Sequence, residues 1–328
     1  MTPIRWGIAS TGNISGSMAT ALAGVDGADI VAVGSRTQDT ADAFAAEHSI
    51  PNAHGSFTAL CADPEIDVIY IGSPHHEHHG MTIEALDAGK HVLCEKAFAL
   101  NRPEAEEMVA AARRNERFLM EAMWSWFMPG WHEVRNRIEA DAIGDIVSID
   151  ANFAIPIPDP NGRHRRLDMG GGALLDLGIY PLSISRFLLG EPTDVRALGR
   201  LTAGGVDAAV AGSLLHESGA VTTFSTSLDG RSDLTARIVG TVGQIEIHAP
   251  FWFPSAFTIT VDGESERVET PNRGLAHEAE HTMERIRGGH IESDIQTWNA
   301  TLTNMELMDE IRRQLGVFYP SETGDGFG

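Results

Sequence analysis

The fold of this chain is decided by Ile4-Arg5-Trp6-Gly7-Ile8-Ala9-Ser10-Thr11-Gly12. The apolar run at residues 4–9 predicts a strand, and residues 12–23 have the apolar spacing of a helix. The pattern between them matches the dinucleotide fingerprint, with Ala9 as its middle residue. Glycine allows the tight turn, a small residue admits a pyrophosphate, and the helix N-terminus supplies free N–H groups and a positive dipole end. We predict a dinucleotide site at Gly7, Ala9, Ser10, Thr11, Gly12, Asn13 and Ile14; the alternative is an ordinary strand-to-helix turn.

Strand and helix patterns alternate through the first 122 residues. Strands are predicted at 4–9, 29–34, 68–72, 92–94 and 118–121, and helices at 12–23, 40–48, 82–88 and 103–115. Strands separated by single helices are typical of a parallel, doubly wound sheet. We therefore predict an α/β Rossmann domain at residues 1–122.

The pattern changes after residue 123. A helix is predicted at 171–189, β-rich runs split by glycine turns at 194–268, and helices at 277–287 and 294–315. Consecutive strands without intervening helices predict a large, mainly antiparallel sheet that is open on one face. We assign residues 123–328 to a substrate-binding and oligomerisation α+β domain. Its C-terminal helix is expected to pack back on the first domain, and the glycine-rich tail from residue 321 to fray.

Composition narrows the class of protein. The chain has 328 residues, 42% hydrophobic and 21% charged, which is ordinary for a soluble protein of two domains. Its formal net charge of −22 argues against nucleic acid or an anionic membrane as a partner, because both require a basic surface. Two distant cysteines, Cys61 and Cys94, do not indicate a disulfide framework. The N-terminus has no signal-peptide core and no apolar run approaches spanning length, so we expect a cytoplasmic protein.

Lysine is rare in this chain. Only Lys90 and Lys96 occur among 24 basic residues. Lys96 ends the apolar run Val92-Leu93-Cys94-Glu95, where an ammonium is costly without a partner and its pKa shifts readily on burial. Such a group beside a hydroxyl or carbonyl is what a dehydrogenase requires, and we predict a functional role for Lys96. The alternative is a surface lysine in an arginine-biased sequence.

The end of the second strand indicates the form of the cofactor. NAD enzymes place an acid there that binds the ribose 2′-hydroxyl, whereas this chain has Ser35 and then Arg36. A guanidinium pairs with a 2′-phosphate and a hydroxyl donates to it, while a carboxylate would repel it. We predict NADP rather than NAD, although Arg36 also fits a solvated surface position.

A histidine-rich stretch follows the strand at 68–72. Ser73 and Pro74 precede His75, His76, Glu77, His78 and His79. A metal site would need further ligands at suitable spacing, and the sequence shows no matching set. We predict no metal, and instead a loop at the carboxyl end of the sheet in which Ser73, Pro74, His75 and His78 line a nicotinamide pocket.

Another candidate site lies in Gly170-Gly171-Gly172-Ala173-Leu174-Leu175-Asp176-Leu177-Gly178-Ile179-Tyr180. On a helix Asp176 and Tyr180 are four residues apart and share one face. A carboxylate and a phenol behind glycines form a proton-handling or substrate-binding pair. The same pattern is also typical of a buried tyrosine hydrogen-bonded to the aspartate.

In combination these motifs resemble the glucose–fructose oxidoreductase/inositol dehydrogenase (Gfo/Idh/MocA) family over nearly the whole chain. Glu121-Ala122-Met123-Trp124 and Asp176-Leu177-Gly178-Ile179-Tyr180 look most like its branch of dihydrodiol and NADP-dependent D-xylose dehydrogenases. The resemblance implies that Lys96 lies beside the nicotinamide and reacting oxygen, next to the cofactor-binding Glu95. It also implies that Tyr180 is the acid/base, that Asp176 binds substrate or orients the pair, and that His78 is the pocket histidine.

Two departures from the family pattern concern the pocket. Ala97 replaces the usual proline after Glu-Lys, which removes a rigid turn. Trp126 stands where related sequences often have arginine. With Trp124, Phe127 and Phe153 it predicts an aromatic wall for a sugar ring or hydrocarbon diol, although aromatic residues at such spacing are more often core.

The expected activity follows from the resemblance. It implies NADP-dependent oxidation or reduction at a hydroxyl or carbonyl of a sugar, polyol or dihydrodiol, in a homodimer or homotetramer formed through the second sheet. The alternative is a non-catalytic NADP-binding sensor of the same fold, which the joint presence of Lys96, Asp176 and Tyr180 disfavours.

Overall fold

The computed structural model describes residues 2–323, which form two compact units. The first contains Met1–Trp124 and Arg273–Leu302, and the second contains Ser125–Asn272 and Thr303–Gly328. The predicted fraying from residue 321 falls mostly on residues 324–328, which lie outside the described part. Residues 320–323 form a short helix instead.

The first unit is a six-stranded parallel sheet with helices between its strands. Its strands are β1 Ile4–Ala9, β2 Ala28–Gly34, β3 Asn52–His54, β4 Val68–Ile71, β5 His91–Glu95 and β6 Leu119–Ala122. Its helices are α1 Asn13–Leu22, α2 Gln38–His48, α3 Phe57–Cys61, α4 His75–Asp87 and α5 Arg102–Asn115. The order β3-β2-β1-β4-β5-β6 is that of the dinucleotide-binding fold, whose binding crevice lies where the order reverses. The prediction of a doubly wound parallel sheet is confirmed.

Residues near the C-terminus complete this unit. Helix α8 (Ala276–Arg287) and residues up to Leu302 group with the first sheet rather than with the second domain predicted at 123–328. The reason is local: Trp298 Nε1 donates to Leu119 O at 2.9 Å, and the buried Glu121 carboxylate accepts from Gln296 and Thr301 at 2.9 and 3.0 Å. The functional assignment of the two domains stays a prediction.

The second unit is built on an eight-stranded sheet. Its strands are β7 Ile146–Ala154, β8 Pro192–Leu201, β9 Asp207–His216, β10 Val221–Ser227, β11 Ala236–Gly240, β12 Gly243–Ile247, β13 Ala256–Val261 and β14 Glu264–Glu269. All pairs are antiparallel except β7 with β10, so the predicted mainly antiparallel sheet is confirmed. Alternation of buried and exposed residues in β9 and β10 leaves one face open. Helices α6 Pro129–Glu139 and α7 Ile179–Leu189 belong here; α9 Trp298–Leu315 begins in the first unit, and α10 is Pro320–Thr323.

Several predicted elements need correction. Helix α4 begins at His75, not at residue 82, so the histidines form its first turns. The helix predicted at 171–189 begins with a π-helical turn, Leu174–Gly178, before α7. The last long helix begins at Trp298, not at residue 294. Elements β3, α3, α6 and β7 were not predicted.

Within residues 2–323, one helical stretch is long and apolar enough to span a membrane by length and composition. It covers Leu167–Leu189, and 89% of its apolar window is buried in the protein. This corrects the expectation that no apolar run approaches that length. Since a buried core helix satisfies the same criteria, the stretch is weak evidence for a membrane span.

Candidate functional site

The turn between β1 and α1 forms a cradle suited to a phosphate group. Ser10 adopts φ 93°, an uncommon conformation for a residue with a side chain. Gly12 precedes α1 and has no side chain that could cap the helix. A Cβ built on Gly12 would approach only Ser10 Oγ, at 3.7 Å. The first N–H groups of α1 are therefore left for an anion. These features fit a dinucleotide pyrophosphate.

Neighbouring strands close this cradle tightly. Gly7 lies inside β1, where a Cβ would approach Ile66 Cδ1 to 2.8 Å. A glycine is therefore required here by close packing rather than by the turn. Gly72 follows β4, and a Cβ there would lie 2.6 Å from Ser15 Oγ. Ser15 Oγ and Ser73 Oγ are buried without a hydrogen-bond partner among residues 2–323. Small residues and unsatisfied polar atoms thus line the crevice beside α1.

Arg36 lies beyond the end of β2, on the exposed turn before α2. It forms no ion pair or hydrogen bond with another described residue, whereas Arg102, Arg114 and Arg137 are all paired with carboxylates. Ser35 Oγ contacts Thr40 Oγ1 at 2.6 Å, which fixes the turn. A guanidinium held at the carboxyl edge without a counter-ion fits a 2′-phosphate.

The four histidines of α4 point to different partners. His78 is fully buried, with Nδ1 at 2.9 Å from Ala97 O and Nε2 at 2.8 Å from Ser73 O. His79 pairs with Glu107 and His76 with Glu77, while His75 is buried edge-on to His78. His78 therefore joins the turn after β4 to the turn after β5. In the described part of the chain, no group of three His, Cys, Asp or Glu side chains is placed to hold a metal ion.

Lys96 is half-buried directly after β5, at the carboxyl edge of the sheet. The preceding Glu95 accepts from the Tyr70 hydroxyl at 2.6 Å and from the Lys96 N–H at 3.2 Å. On the other side, Glu121 accepts from the Phe98 N–H at 3.2 Å. The peptide between Lys96 and Ala97 is cis. Two buried carboxylates thus fix the backbone on both sides of Lys96.

The other lysine has a structural environment. Lys90 is buried, and its Nζ donates to Asp63 O at 2.6 Å and to Ile66 O at 2.9 Å. Burial lowers its pKa from the usual value, although Asp63 and Asp67 oppose that shift. Lys90 therefore closes a loop at the amino end of the sheet, and Lys96 is the lysine at the edge where parallel sheets bind ligands.

A third acid, Glu278 of α8, lies in the core of the first unit. It is fully buried, and neither carboxyl oxygen has a hydrogen-bond partner among the described residues. Burial raises the pKa of Glu278 well above its usual value, and the charge of Glu95 raises it further. Burial and the same charge also raise the pKa of Tyr70. Because a second buried negative charge is disfavoured in such surroundings, the neutral form of Glu278 is favoured.

Asp176 and Tyr180 lie in the second unit, on the π-helical turn and the first turn of α7. Both are buried. Asp176 lies between two basic side chains, with Oδ1 at 3.4 Å from Arg163 Nη2 and Oδ2 at 3.3 Å from His164 Nε2. Asp176 thus lies among polar partners on a π-helical turn, a feature that is frequently found at functional sites.

Aromatic rings surround Tyr180. Its ring lies 5.4 Å from Phe153 and 5.9 Å from Trp252, and those two rings stack at 3.9 Å with an interplanar angle of 13°. Trp126 is instead buried against Phe187 at 5.2 Å. Trp124, in the first unit, is half-buried at the start of the 3-10 turn Trp124–Phe127. The structure therefore groups Phe153 with Tyr180 and places Trp126 in the core.

Sequence reasoning missed several residues of these sites. Trp252, Arg163, His164, Tyr70 and Glu278 were not proposed. The signal available for Trp252 was the run Phe251-Trp252-Phe253 between two strands, and for His164 the basic run 163–166 before the glycines. No local pattern distinguishes Glu278 from the exposed acids of the same helix.

Comparison with known proteins adds an independent line of evidence. Residues 4–123 match the model "Oxidoreductase family, NAD-binding Rossmann fold", and residues 131–246 match "GFO/IDH/MocA C-terminal domain". Trans-1,2-dihydrobenzene-1,2-diol dehydrogenase of Xenopus laevis is 37% identical, covering 96% of this chain and 99% of that protein. The Homo sapiens protein of that name is 33% identical, covering 97% and 99%.

Solved structures agree on the fold. A 3-ketoreductase from Actinomadura kijaniata in complex with NADP and TDP-benzene superposes with a TM-score of 0.87 at 25% identity, over 96% of this chain and 98% of that one. An aldose-aldose oxidoreductase from Caulobacter crescentus gives a TM-score of 0.87 at 24% identity, over 95% and 97%. Both family models and near-full-length relatives thus cover the two units, and this chain belongs to the Gfo/Idh/MocA family of oxidoreductases.

Proposed function

We propose that this protein is an NADP-dependent dehydrogenase that oxidises a ring hydroxyl of a trans-dihydrodiol or a sugar, or reduces the corresponding carbonyl. The observation that supports it most is the position of Lys96, half-buried at the carboxyl edge of a dinucleotide-type sheet and fixed by Glu95 and Glu121. The test is a panel of cyclic diols, aldoses and inositols followed by NADPH absorbance. NADPH binding without turnover of any member would favour a sensor instead.

The cofactor would be held by groups of the first unit. The first N–H groups of α1 and the small residues Ala9 and Gly12 suit the pyrophosphate, and Ser35 with Arg36 suits the 2′-phosphate. Ser73 and Pro74 form the turn after β4, and His75 and His78 lie in the first turn of α4, on the edge where the nicotinamide is expected. When bound, NADP supplies the ring that accepts or gives the hydride.

Replacing Arg36 by alanine is expected to remove the cofactor preference. We expect NADP to bind at least about tenfold more tightly than NAD in the unchanged protein, the equivalent of one charge-assisted phosphate contact. Arg36→Ala should bring the two dissociation constants together without changing the thermal midpoint. Arg114→Ala is the matched control, because it removes the same charge from an exposed ion pair with Asp87. Equal affinity of the unchanged protein for both cofactors would refute the assignment.

The proton chemistry falls to Lys96, Tyr180 and Asp176. As hydride leaves carbon, the hydroxyl proton must pass to a positioned base. A phenol with a pKa of about 10 is a weak base at neutral pH, and an ammonium nearby favours the phenolate. Asp176, which contacts Arg163 and His164, suits the role of a hydrogen-bond acceptor for a second hydroxyl of the substrate. This arrangement explains why the proposed substrates carry adjacent hydroxyl groups.

The substrate ring would lie against the aromatic wall of the second unit. Phe153 and the half-buried Trp252 offer stacked faces beside Tyr180, and Trp124 is a further candidate. Such faces suit the carbon skeleton of a cyclohexadiene diol and also the apolar face of a sugar. The dihydrobenzenediol dehydrogenases at 33% to 37% identity support the diol. We place Trp126 outside this wall because it is buried against Phe187.

Trp252→Leu is expected to lower kcat/KM for a cyclic dihydrodiol by about tenfold, since one aromatic contact contributes roughly 0.5–1.5 kcal/mol beyond its buried area. NADP affinity should not change, because Trp252 is not among the groups proposed to hold the cofactor. Trp252→Phe retains a ring and should stay within about threefold of the unchanged enzyme. Equal losses in both variants, or none in either, would remove Trp252 from the substrate site.

Assembly and location follow the same proposal. The open face of the second sheet exposes Leu198 by 84%, Leu215 by 44% and Val221 by 38%, on three neighbouring strands. Exposed apolar side chains on an open sheet face are found at many interfaces. We propose a homodimer or homotetramer formed through this face, in the cytoplasm. The net charge of −22 supports small molecules, rather than nucleic acid or anionic membranes, as its partners.

A further inference from the structure

The turn that leads into the Asp176 helix is packed too tightly for any residue except glycine. A Cβ on Gly171 would lie 2.7 Å from the carbonyl oxygens of Arg163 and Arg166. Gly172 adopts φ 131°, and a Cβ there would lie 2.2 Å from Oδ1 of Asp207. The turn is therefore shaped on one side by the backbone at 163–166 and on the other by a single carboxyl group.

Asp207 is the first residue of β9 and is fully buried. Its Oδ2 accepts a 2.6 Å hydrogen bond from the Leu174 N–H, at the first residue of the π-helical turn. Its Oδ1 has no hydrogen-bond partner among the described residues. Asp207 thus binds the amino end of the helical segment that contains Asp176, two residues further on.

Charged groups around Asp207 come mainly from the C-terminal segment. Arg312 is buried between Asp309 and Glu322, and it stacks on Tyr319, whose hydroxyl donates to Gly171 O at 2.9 Å. On β8 the residue paired with Asp207 is Leu201. The arginines of the neighbouring turn, Arg165 and Arg166, are paired with Asp229 and Asp168. No counter-ion contacts the carboxyl group of Asp207 directly among these residues.

This surrounding affects the ionisation of Asp207. Burial raises its pKa to about 7, against the opposing effect of the backbone N–H groups of Leu174, Asp207 and Ala173 and of Arg312. An aspartate of the unfolded chain titrates near pH 4. The folded protein therefore holds this proton more tightly, and the free energy of unfolding falls as pH rises from about 4 to about 7. The free energy of any local opening of the turn that exposes Asp207 to water falls over the same pH range, for the same reason.

We propose that Asp207 is a positioning residue for the reaction, because its buried carboxyl group holds the glycine turn and the start of the helix that presents Asp176 and Tyr180. The proposal rests on the function proposed above. If Asp207 served only to cap the helix, a neutral polar side chain would do so without the free-energy cost of burying a charge. A carboxyl group that ionises near neutrality instead makes the turn tighter below pH 7 and easier to open above it.

Three variants test this. Asp207→Asn imitates the neutral carboxyl and keeps one acceptor for the Leu174 N–H, whereas Asp207→Ala removes it. Asp309→Asn is the matched control, since it removes a carboxylate from the same Arg312 without touching the turn. For each protein we would measure kcat and KM from pH 6 to 9, thermal midpoints over the same range, and hydrogen exchange of residues 173–178 corrected for the intrinsic effect of pH.

The ratio of kcat in Asp207→Asn to kcat in the unchanged enzyme is expected to rise at least about threefold from pH 6 to pH 9. Because the two proteins share all other titrating groups, this ratio removes the contribution of those groups to the pH dependence of kcat. Asp207→Ala should lose about tenfold in kcat at pH 6, where the unchanged protein keeps the neutral carboxyl, with the KM for NADPH unchanged. Residues 173–178 should exchange faster at pH 9 than at pH 6 in the unchanged protein and equally at both in Asp207→Asn. Above pH 7 Asp207→Asn should also have the higher thermal midpoint.

A kcat ratio and exchange pattern that do not depend on pH, with only the midpoints altered, would reduce Asp207 to a structural cap and overturn the proposal. The same pH dependence in Asp309→Asn would assign it to Arg312 instead. If the unchanged protein oxidises no member of the substrate panel, the proposed function fails. The exchange and midpoint measurements then still decide whether Asp207 controls the turn.

Discussion

Replacing Lys96 by methionine is expected to lower turnover by about 10²- to 10⁴-fold, the range attributed to a positioned proton donor or acceptor. Methionine has similar length and is apolar, so the half-buried position remains filled. Glu95 and Glu121 accept hydrogen bonds from the backbone N–H groups of residues 96 and 98, and these contacts do not depend on the lysine side chain. We therefore expect the folded enzyme to bind NADPH with little change.

Lys90→Met is the matched control for this experiment. It removes the only other lysine, whose ammonium donates to two backbone carbonyls at the amino end of the sheet. That variant should lose thermal stability, because two buried carbonyls lose their donor, but the protein that remains folded should turn over normally. Turnover is measured by NADPH absorbance and cofactor binding by NADPH fluorescence. An active Lys96→Met enzyme would remove this residue from the reaction.

The features that the sequence predicted well depend on local backbone geometry. The fingerprint at residues 7–12 predicts its own strand–turn–helix context, and the alternation of strands and helices predicts the parallel sheet. Arg36 was found because the chemistry expected at one position, the end of β2, is known for this fold. For the same reason Lys96 was found from an ionisable group that ends an apolar strand.

The features that it did not predict depend on contacts between distant residues. Helix α4 was predicted to begin at 82 because the histidine stretch was assigned to a loop, yet the helix starts at His75, and His78 is held by Ser73 and Ala97. The π-helical turn at 174–178 is fixed by Asp207, 33 positions beyond Leu174. Periodicity alone gives a regular α-helix there and cannot reveal the difference.

The aromatic wall beside Tyr180 was predicted in part from the sequence, and the rest of it depends on contacts between distant residues. Phe153 was proposed for the substrate site and lies beside Tyr180, but Trp126, proposed because related sequences often have arginine there, is buried against Phe187. Trp252, nearly a hundred positions after Phe153, stacks on it at 3.9 Å. Spacing along one short segment shows which aromatic residues are close in sequence, but not which ones are close in space. Only the pairing of β7 with distant strands brings Trp252 to this wall.

Tyr180→Phe is expected to lower turnover at least about a hundredfold, since general acid–base assistance is worth that much and the phenol is the proposed proton acceptor. The substitution removes one oxygen and keeps the ring, so the contacts with Phe153 and Trp252 are retained. The thermal midpoint and the NADPH affinity should therefore change little. The loss should appear in kcat more than in KM, because the proton transfer belongs to the transition state.

The double variant Lys96→Met, Tyr180→Phe tests whether the two side chains act in one proton transfer. If an ammonium favours the phenolate, removing either group disables the same step, and the double variant should be little slower than the poorer single one. The kcat–pH profile gives a second readout: without the ammonium, the pKa of the activating group should rise toward the value of about 10 of an ordinary tyrosine. Multiplicative losses in the double variant would mean independent roles. A Tyr180→Phe enzyme with near-normal turnover would make the tyrosine a structural residue and leave Lys96 as the proton-handling group.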